Sequence, residues 1–350
     1  MKYFILIISV LLSSSCSKEG ESDLSVVRND YWNLNLPDFM GDAIPTVERN
    51  PISEEGITLG RMLFYDPILS SDGKVSCASC HFLNQAFTDG EALSTNGVSG
   101  NTLKRNSPPL FNLAWHNAFF WEGGAVDLES QVSGPIIDVD ELGGDPQGIL
   151  SRLNNHPTYP NQFKKVFNKD VISIGDVAKA IAQFERVILS YESRYDNYKG
   201  GNEILNSQEL EGLQLYQNHC ESCHEEGFFS DFEYHNNGLD SVFNFTDSED
   251  VRWGRYRITS KEEDKGKYKT PSLRNIALTA PYMHDGRLET LEDVINHYSN
   301  SVVNSASLDS RIPIEGFQFT LKEKQSIIAF LKTLTDFTFV NKEEYQNPFN

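Results

Sequence analysis

Four of the five cysteines in this 350-residue chain fall into two pairs of identical spacing, each followed at once by histidine. The pairs are Cys77-Ala78-Ser79-Cys80-His81 and Cys220-Glu221-Ser222-Cys223-His224. Cys-x-x-Cys-His is the attachment signature of c-type haem. Thiols at that spacing reach the two vinyl groups of one porphyrin as thioethers. The adjacent imidazole then lies beneath the iron and supplies the nitrogen donor it needs. Competing readings explain less. Zinc-binding pairs usually stand closer together and leave both histidines unexplained. A redox dithiol accounts for one pair only, and a disulfide across two residues closes a strained loop. Two covalently bound haem c groups are therefore expected, one on Cys77, Cys80 and His81 and the other on Cys220, Cys223 and His224.

The fifth cysteine, Cys16, closes a leader. Lys2 precedes an apolar run from Tyr3 to Leu12 and then Ser13-Ser14-Ser15-Cys16. The run is too short to span a bilayer and reads as a signal-peptide core. Small residues before a cysteine resemble a lipoprotein-processing site, although Leu12 sits one place further from Cys16 than the usual pattern puts it. The expectation is a lipoprotein-type signal peptide over 1–16, a flexible acidic tether over 17–36, and a periplasmic or outer-membrane location with a lipid on Cys16. The alternative is an ordinary signal peptide. The formal charge of −20 excludes nucleic acid as a partner. It keeps the chain soluble and would attract a basic redox partner.

The chain also repeats itself. Ser107-Pro108-Pro109-Leu110-Phe111-Asn112-Leu113-Ala114 aligns with Thr270-Pro271-Ser272-Leu273-Arg274-Asn275-Ile276-Ala277, and the match continues through Phe119 with Tyr282, Gly123 with Gly286 and Leu128-Glu129 with Leu291-Glu292. The second half carries an extra polar stretch around His235 to Asp264, read as a surface loop. Apolar periodicity predicts helices over 174–195, 207–219, 290–298 and 320–335. The expected fold is mainly α, with two cytochrome-c-like haem domains related by internal duplication, 37–200 and 201–340, joined near Gly200-Gly201.

These features resemble the bacterial dihaem cytochrome c peroxidases and their relatives, the methylamine-utilisation dihaem enzymes. The carrying segments are Leu63-Phe64-Tyr65-Asp66-Pro67, Arg105-Asn106-Ser107-Pro108, Phe120-Trp121-Glu122-Gly123, Thr270 to Asn275 and Ala280-Pro281-Tyr282-Met283-His284-Asp285-Gly286. The resemblance spans roughly Leu36 to Phe337. It implies a peroxide-reacting first haem on His81, an electron-transfer second haem on His224 and a bound Ca²⁺ between the domains. Gln131 and Glu141 would cover the distal face of the first haem, Glu141 moving protons for peroxide. Trp121 would relay electrons between the haems. Asn106, through its side chain, and Thr279 and Pro281, through their carbonyls, would hold the Ca²⁺. A homodimer is a further family feature.

Two departures shape the expectation. Many relatives cap the first iron at rest with a histidine from the loop after the first motif. Here the segment 82–106 holds no His, Met, Cys or Tyr, so the first haem is expected to be open without reductive activation. His116, inside the repeated segment, is read as structural. The sixth ligand of the second haem is Met in the peroxidases, whereas the matching spacing here gives Tyr298, as in the methylamine-utilisation enzymes. Met283 is the rival. The leading expectation is reduction of hydrogen peroxide to water with electrons from a small cytochrome c or cupredoxin, entering through the His224 haem. The alternatives are a dihaem oxidase that stores oxidising equivalents to modify a partner protein, and a non-catalytic dihaem electron carrier.

Overall fold

The computed structural model describes residues 36–247 and 250–349. The leader with Cys16, and the tether but for Leu36, lie outside the described residues. Among the described residues the chain forms ten α-helices: α1 (Glu54–Tyr65), α2 (Leu128–Ile137), α3 (Pro146–Asn154), α4 (Tyr159–Phe167), α5 (Ile174–Arg186), α6 (Arg194–Lys199), α7 (Ser207–His219), α8 (Tyr256–Thr259), α9 (Leu291–Asn296) and α10 (Leu321–Lys332). The strand content is one antiparallel pair, β1 (Tyr234–His235) with β2 (Tyr268–Lys269). The mainly helical expectation holds.

Local chemistry sets the helix starts. Ser173 with Asp176, Ser193 with Asp196, Asn206 with Glu209, Thr290 with Asp293 and Thr320 with Glu323 each form a reciprocal cap, satisfying amides that the first turn would otherwise leave unpaired. The helix predicted over 174–195 stops at Arg186 instead. The amides beyond it are captured from afar. Tyr345 Oη accepts from the Leu189 amide at 3.0 Å, Asn112 Oδ1 from Ser190 at 2.9 Å, and Asp336 Oδ2 from Tyr191 and Glu192 at 3.0 Å each. Tertiary partners here outbid the i→i−4 ladder.

Each half is built on a crossing between the helix that precedes its haem motif and one that follows it. α1 packs on α5, and α7 packs on α10. Both crossings pivot on a glycine. A Cβ on Gly60 would stand 2.0 Å from the Ala180 carbonyl oxygen, and one on Gly212 would stand 1.9 Å from that of Ser326. Phe184 and Phe330 close the two contacts in the same relative position. One apolar core gathers around Leu63, Phe64, Phe87, Ile181 and Phe184. A second gathers around Tyr195, Tyr216, Phe229, Phe330 and Leu334.

The repeated segments adopt like conformations. Asn112 (φ 55°) and Asn275 (φ 57°) each start a single 3₁₀ turn, and the bridges Phe119 to Ala125 and Tyr282 to Leu288 follow. The two asparagines meet at a buried seam. The Asn112 amide exchanges two hydrogen bonds with the Ser190 backbone. Asn275 donates to Ser190 Oγ at 2.9 Å and accepts from the Asp336 amide at 2.8 Å.

Two segments depart from the expected layout. The stretch around 235–264 is more than a surface loop, because Arg255 Nη1 donates to the Glu122 carbonyl at 3.0 Å and its guanidinium stacks 3.5 Å from the centre of the Tyr234 ring. The tail after Asp336, expected with the second half as far as residue 340, returns to the first. Phe339 and Tyr345 are buried in the core of Phe64 and Phe87, and Arg61 donates to the carbonyls of Gln346 and Glu343 at 2.7 and 3.0 Å.

Candidate functional site

Each haem motif opens onto its own cavity. The first is lined by Cys77, Cys80 and His81 together with Phe64, Gln131, Pro135, Glu141, Ile181 and Glu185. The second is lined by Cys220, Cys223 and His224 together with Trp121, Tyr268, Met283, Tyr298, Phe317 and Leu331. The four thiols are free of disulfides and half-buried, their open side being the cavity. His81 Nδ1 lies 2.6 Å from the Phe87 carbonyl and His224 Nδ1 lies 3.1 Å from that of Phe229. A proton on Nδ1 donated to the carbonyl leaves Nε2 as the free donor to a metal. Phe87 (φ 61°) and Phe229 (φ 55°) both adopt the left-handed conformation that turns these carbonyls toward the rings. Burial lowers both imidazole pKa values, which favours the neutral, ligating form. Paired thiols, an oriented imidazole and an adjacent cavity fit a covalently attached haem in each half.

The first cavity combines polar groups that lack protein partners. Gln131 Oε1 is buried without a hydrogen bond, and so is Glu185 Oε2. Buried polar atoms are rarely left so, because each unmade bond costs about 1–3 kcal/mol. The expected pair Gln131 and Glu141 is thus brought together facing His81. Burial, with Asp138 and Asp140 adding repulsion, pushes the Glu141 carboxyl up to about 7. Of the histidines, only His81 lines this cavity among the described residues. His116 lies elsewhere, half-buried against Phe232 with its Nδ1 3.1 Å from Lys269 Nζ.

In the second cavity both candidate sixth ligands are present. The Asn237 amide donates toward Met283 Sδ at 3.3 Å and Tyr298 Oη at 3.4 Å. Tyr298 sits on a π-helical turn, His297–Ser301, that extends α9, an irregularity frequent at functional positions. Trp121 lines this second cavity, and its indole N–H donates to the Asn106 carbonyl at 2.9 Å. The Trp121 carbonyl in turn accepts from the Lys269 amide at 2.8 Å, so the residue is tied to the first half through its indole and to the second through its backbone. Asn106, Thr279 and Pro281 line the same space. The Asn106 amide nitrogen donates to the Glu91 and Ala92 carbonyls at 2.9 and 3.4 Å, which fixes the amide orientation and leaves its oxygen as the hard donor Ca²⁺ prefers.

Sequence reasoning missed three groups. Glu185 looked like one residue of an amphipathic helix, yet it is 4% exposed and lines the first cavity. Asn237 lay in the presumed loop. Lys269, beside the repeated segment, is half-buried with its Nζ donating to the Ala118 carbonyl at 2.7 Å, and desolvation of the ammonium lowers its pKa to about 8.

Residues 54–204 match the family model described as di-haem cytochrome c peroxidase. The chain is 32% identical to the methylamine utilization protein MauG of Methylorubrum extorquens over 325 residues, 92% of this chain and 90% of that one. It is 35% identical to the cytochrome c551 peroxidase of Nitrosomonas europaea over 287 residues, 81% of each. The crystal structure of a MauG-like protein associated with microbial copper homeostasis superposes with a TM-score of 0.83 at 34% identity, covering 91% of this chain and all of that one.

Proposed function

Because the chain belongs to the di-haem cytochrome c peroxidase family, we propose that it is an exported peroxidase that reduces H₂O₂ to water. Its electrons come from a small cytochrome c or cupredoxin and enter through the second haem. When bound, each haem would supply an iron able to exchange electrons, and the one held by Cys77, Cys80 and His81 would be the group that reacts with peroxide. The observation that carries the reading is the pairing of Gln131 and Glu141 in the cavity of His81. Peroxide must lose a proton on the oxygen that binds and gain one on the oxygen that leaves. A carboxyl poised at about 7 can take the first and return it to the second. Gln131, with an unpaired Oε1, accepts a hydrogen bond from the incoming peroxide and holds it in register. A pure electron carrier would have no use for either group. Trp121, tied to Asn106 and Lys269, is the relay toward the second cavity. Asn106, Thr279 and Pro281, which line one space, would hold a Ca²⁺. The like conformations at Asn112 and Asn275 support an origin by internal duplication, with domains meeting near Gly200-Gly201. A leader ending at a lipidated Cys16 would hold the protein in the periplasm or at the outer membrane, and a homodimer completes the proposal.

The second reading, oxidation of a partner protein, draws on Tyr298 in the second cavity and on the likeness to MauG. Steady-state assay of the dihaem holoprotein decides between them. Peroxide-dependent oxidation of a reduced cytochrome c or cupredoxin, lost by about 10²–10⁴-fold in Glu141→Gln with haem content unchanged, is the expected result. A holoprotein that reacts with peroxide yet oxidises no small donor would leave the partner-protein reading in its place.

A further inference from the structure

Glu185 stands on α5 and lines the first cavity beside Cys77 and Glu141. The neighbouring Arg186 does not pair with it. That guanidinium instead donates to both oxygens of Glu129 at 2.9 Å. The helix crossings identify the matching position in the other half. Gly60 meets the Ala180 carbonyl and Phe184, and Gly212 meets the Ser326 carbonyl and Phe330, in the same order. Glu185 therefore corresponds to Leu331, which is buried and lines the second cavity. An apolar side chain is the ordinary choice against a porphyrin. The half that carries Gln131 and Glu141 has an acid there, with an unpartnered buried oxygen. Such a group costs stability, and a costly ionisable group in a ligand cavity is a mark of function.

We propose that Glu185 is the redox-linked proton site of the first haem. Its carboxylate takes up one proton from solvent when one electron, delivered by the reduced donor through the second haem, reduces the first iron from ferric to ferrous. It releases that proton when the iron is reoxidised. One negative and one positive charge enter together and leave together, so the buried cavity carries no added net charge. The inference rests on the proposed ligation of the first haem by His81 and does not require that peroxide be the substrate.

The physical reason is the weak screening of a buried site, where an added electron raises the proton affinity of a nearby carboxylate. Burial already pushes Glu185 up to about 8, opposed by Arg186 and assisted by Glu129. These are the charged groups that face it from α5 and α2. Glu141 lies in the same cavity, and α1 packs against α5 with uncharged Leu59, Gly60 and Leu63. A carboxyl already in the neutral range changes its proton occupancy readily when a nearby charge changes.

The test is a spectroelectrochemical titration of both haems in the holoprotein over roughly pH 6 to 10. In the wild type the potential of the first haem is expected to fall as pH rises. That dependence is lost in Glu185→Gln and Glu185→Leu, kept at a shifted pH in Glu185→Asp and kept in Glu141→Gln, while the second haem follows one curve in all five proteins. A first-haem dependence that survives Glu185→Gln, or that vanishes in Glu141→Gln, overturns the proposal. Should Glu185→Leu fail to fold, Glu185→Gln and Glu185→Asp decide alone. A protein that ignores peroxide yet shows the Glu185-dependent slope sinks the peroxidase reading and supports this one.

Discussion

Replacing Glu141 by glutamine is expected to slow turnover and strengthen the fold at the same time. The Glu141 carboxyl is raised from the ordinary 4.5 to about 7 by burial in the first cavity, with Asp138 and Asp140 adding to the rise. At 1.36 kcal/mol per pH unit this corresponds to about 3 kcal/mol, an upper figure because the side chain is partly open to the cavity. The sign follows from which state holds the proton. Between 4.5 and 7 the folded protein keeps a proton that the unfolded chain has released. The wild-type fold is therefore least penalised below 4.5, loses stability as pH rises to 7, and bears the whole cost above it. Glutamine has no charge to bury. Relative to wild type, Glu141→Gln should gain about 2–3 kcal/mol between pH 5 and pH 8, measured by denaturant unfolding of the holoprotein at both values. Turnover with peroxide should fall by about 10²–10⁴-fold, the usual contribution of a positioned acid–base group. Equal stability differences at the two pH values would refute the burial argument. Unchanged turnover would refute the proton-carrying role.

Low-temperature EPR of the ferric protein should show a high-spin first haem that reacts with peroxide without prior reduction, since His81 is the one histidine lining that cavity among the described residues; two low-spin haems indifferent to peroxide would show a ligand supplied from elsewhere. Tyr298→Phe should change the spectrum of the second haem and leave the first unaltered, whereas Met283→Leu should change neither; the reverse pattern assigns Met283. Gly60→Ala and Gly212→Ala should each destabilise by about 2 kcal/mol or more, outweighing the gain in helix propensity of up to about 1 kcal/mol, because the new methyl would stand 2.0 or 1.9 Å from a carbonyl oxygen. Gly175→Ala, whose nearest neighbour would be the Ser173 hydroxyl at 3.8 Å, is the control and should match or exceed wild type in thermal unfolding.

What could be read from the chain was whatever depends on near neighbours. The two Cys-x-x-Cys-His motifs, the helix Ser207–His219 and the caps at Thr290 and Thr320 are local chemistry, and the pairing of Asn112 with Asn275 needed only a comparison of the chain with itself. The rest depends on residues far apart. The end of α5 at Arg186 was hidden because its captors, Asn112, Asp336 and Tyr345, lie 78 to 156 positions away. Glu185 was hidden because helical periodicity assigns a face and not what fills the space beyond it. The available signal was the second glycine pivot. Aligning Gly60 with Gly212 puts Glu185 opposite Leu331 and exposes the acid as an exception. Asn237 and Arg255 fell in the stretch without a counterpart in the first half, where self-comparison has nothing to say.

The return of Phe339 and Tyr345 to the core around Phe64 and Phe87 fixes an order of assembly. The first core is completed by residues that follow the whole second half in the chain, so it cannot close as the self-contained early unit that emerging domains usually form. Cys77, packed against that core, stays in an unclosed setting until the tail docks. Cleavage near Thr338 would accordingly damage the half farthest from it along the chain.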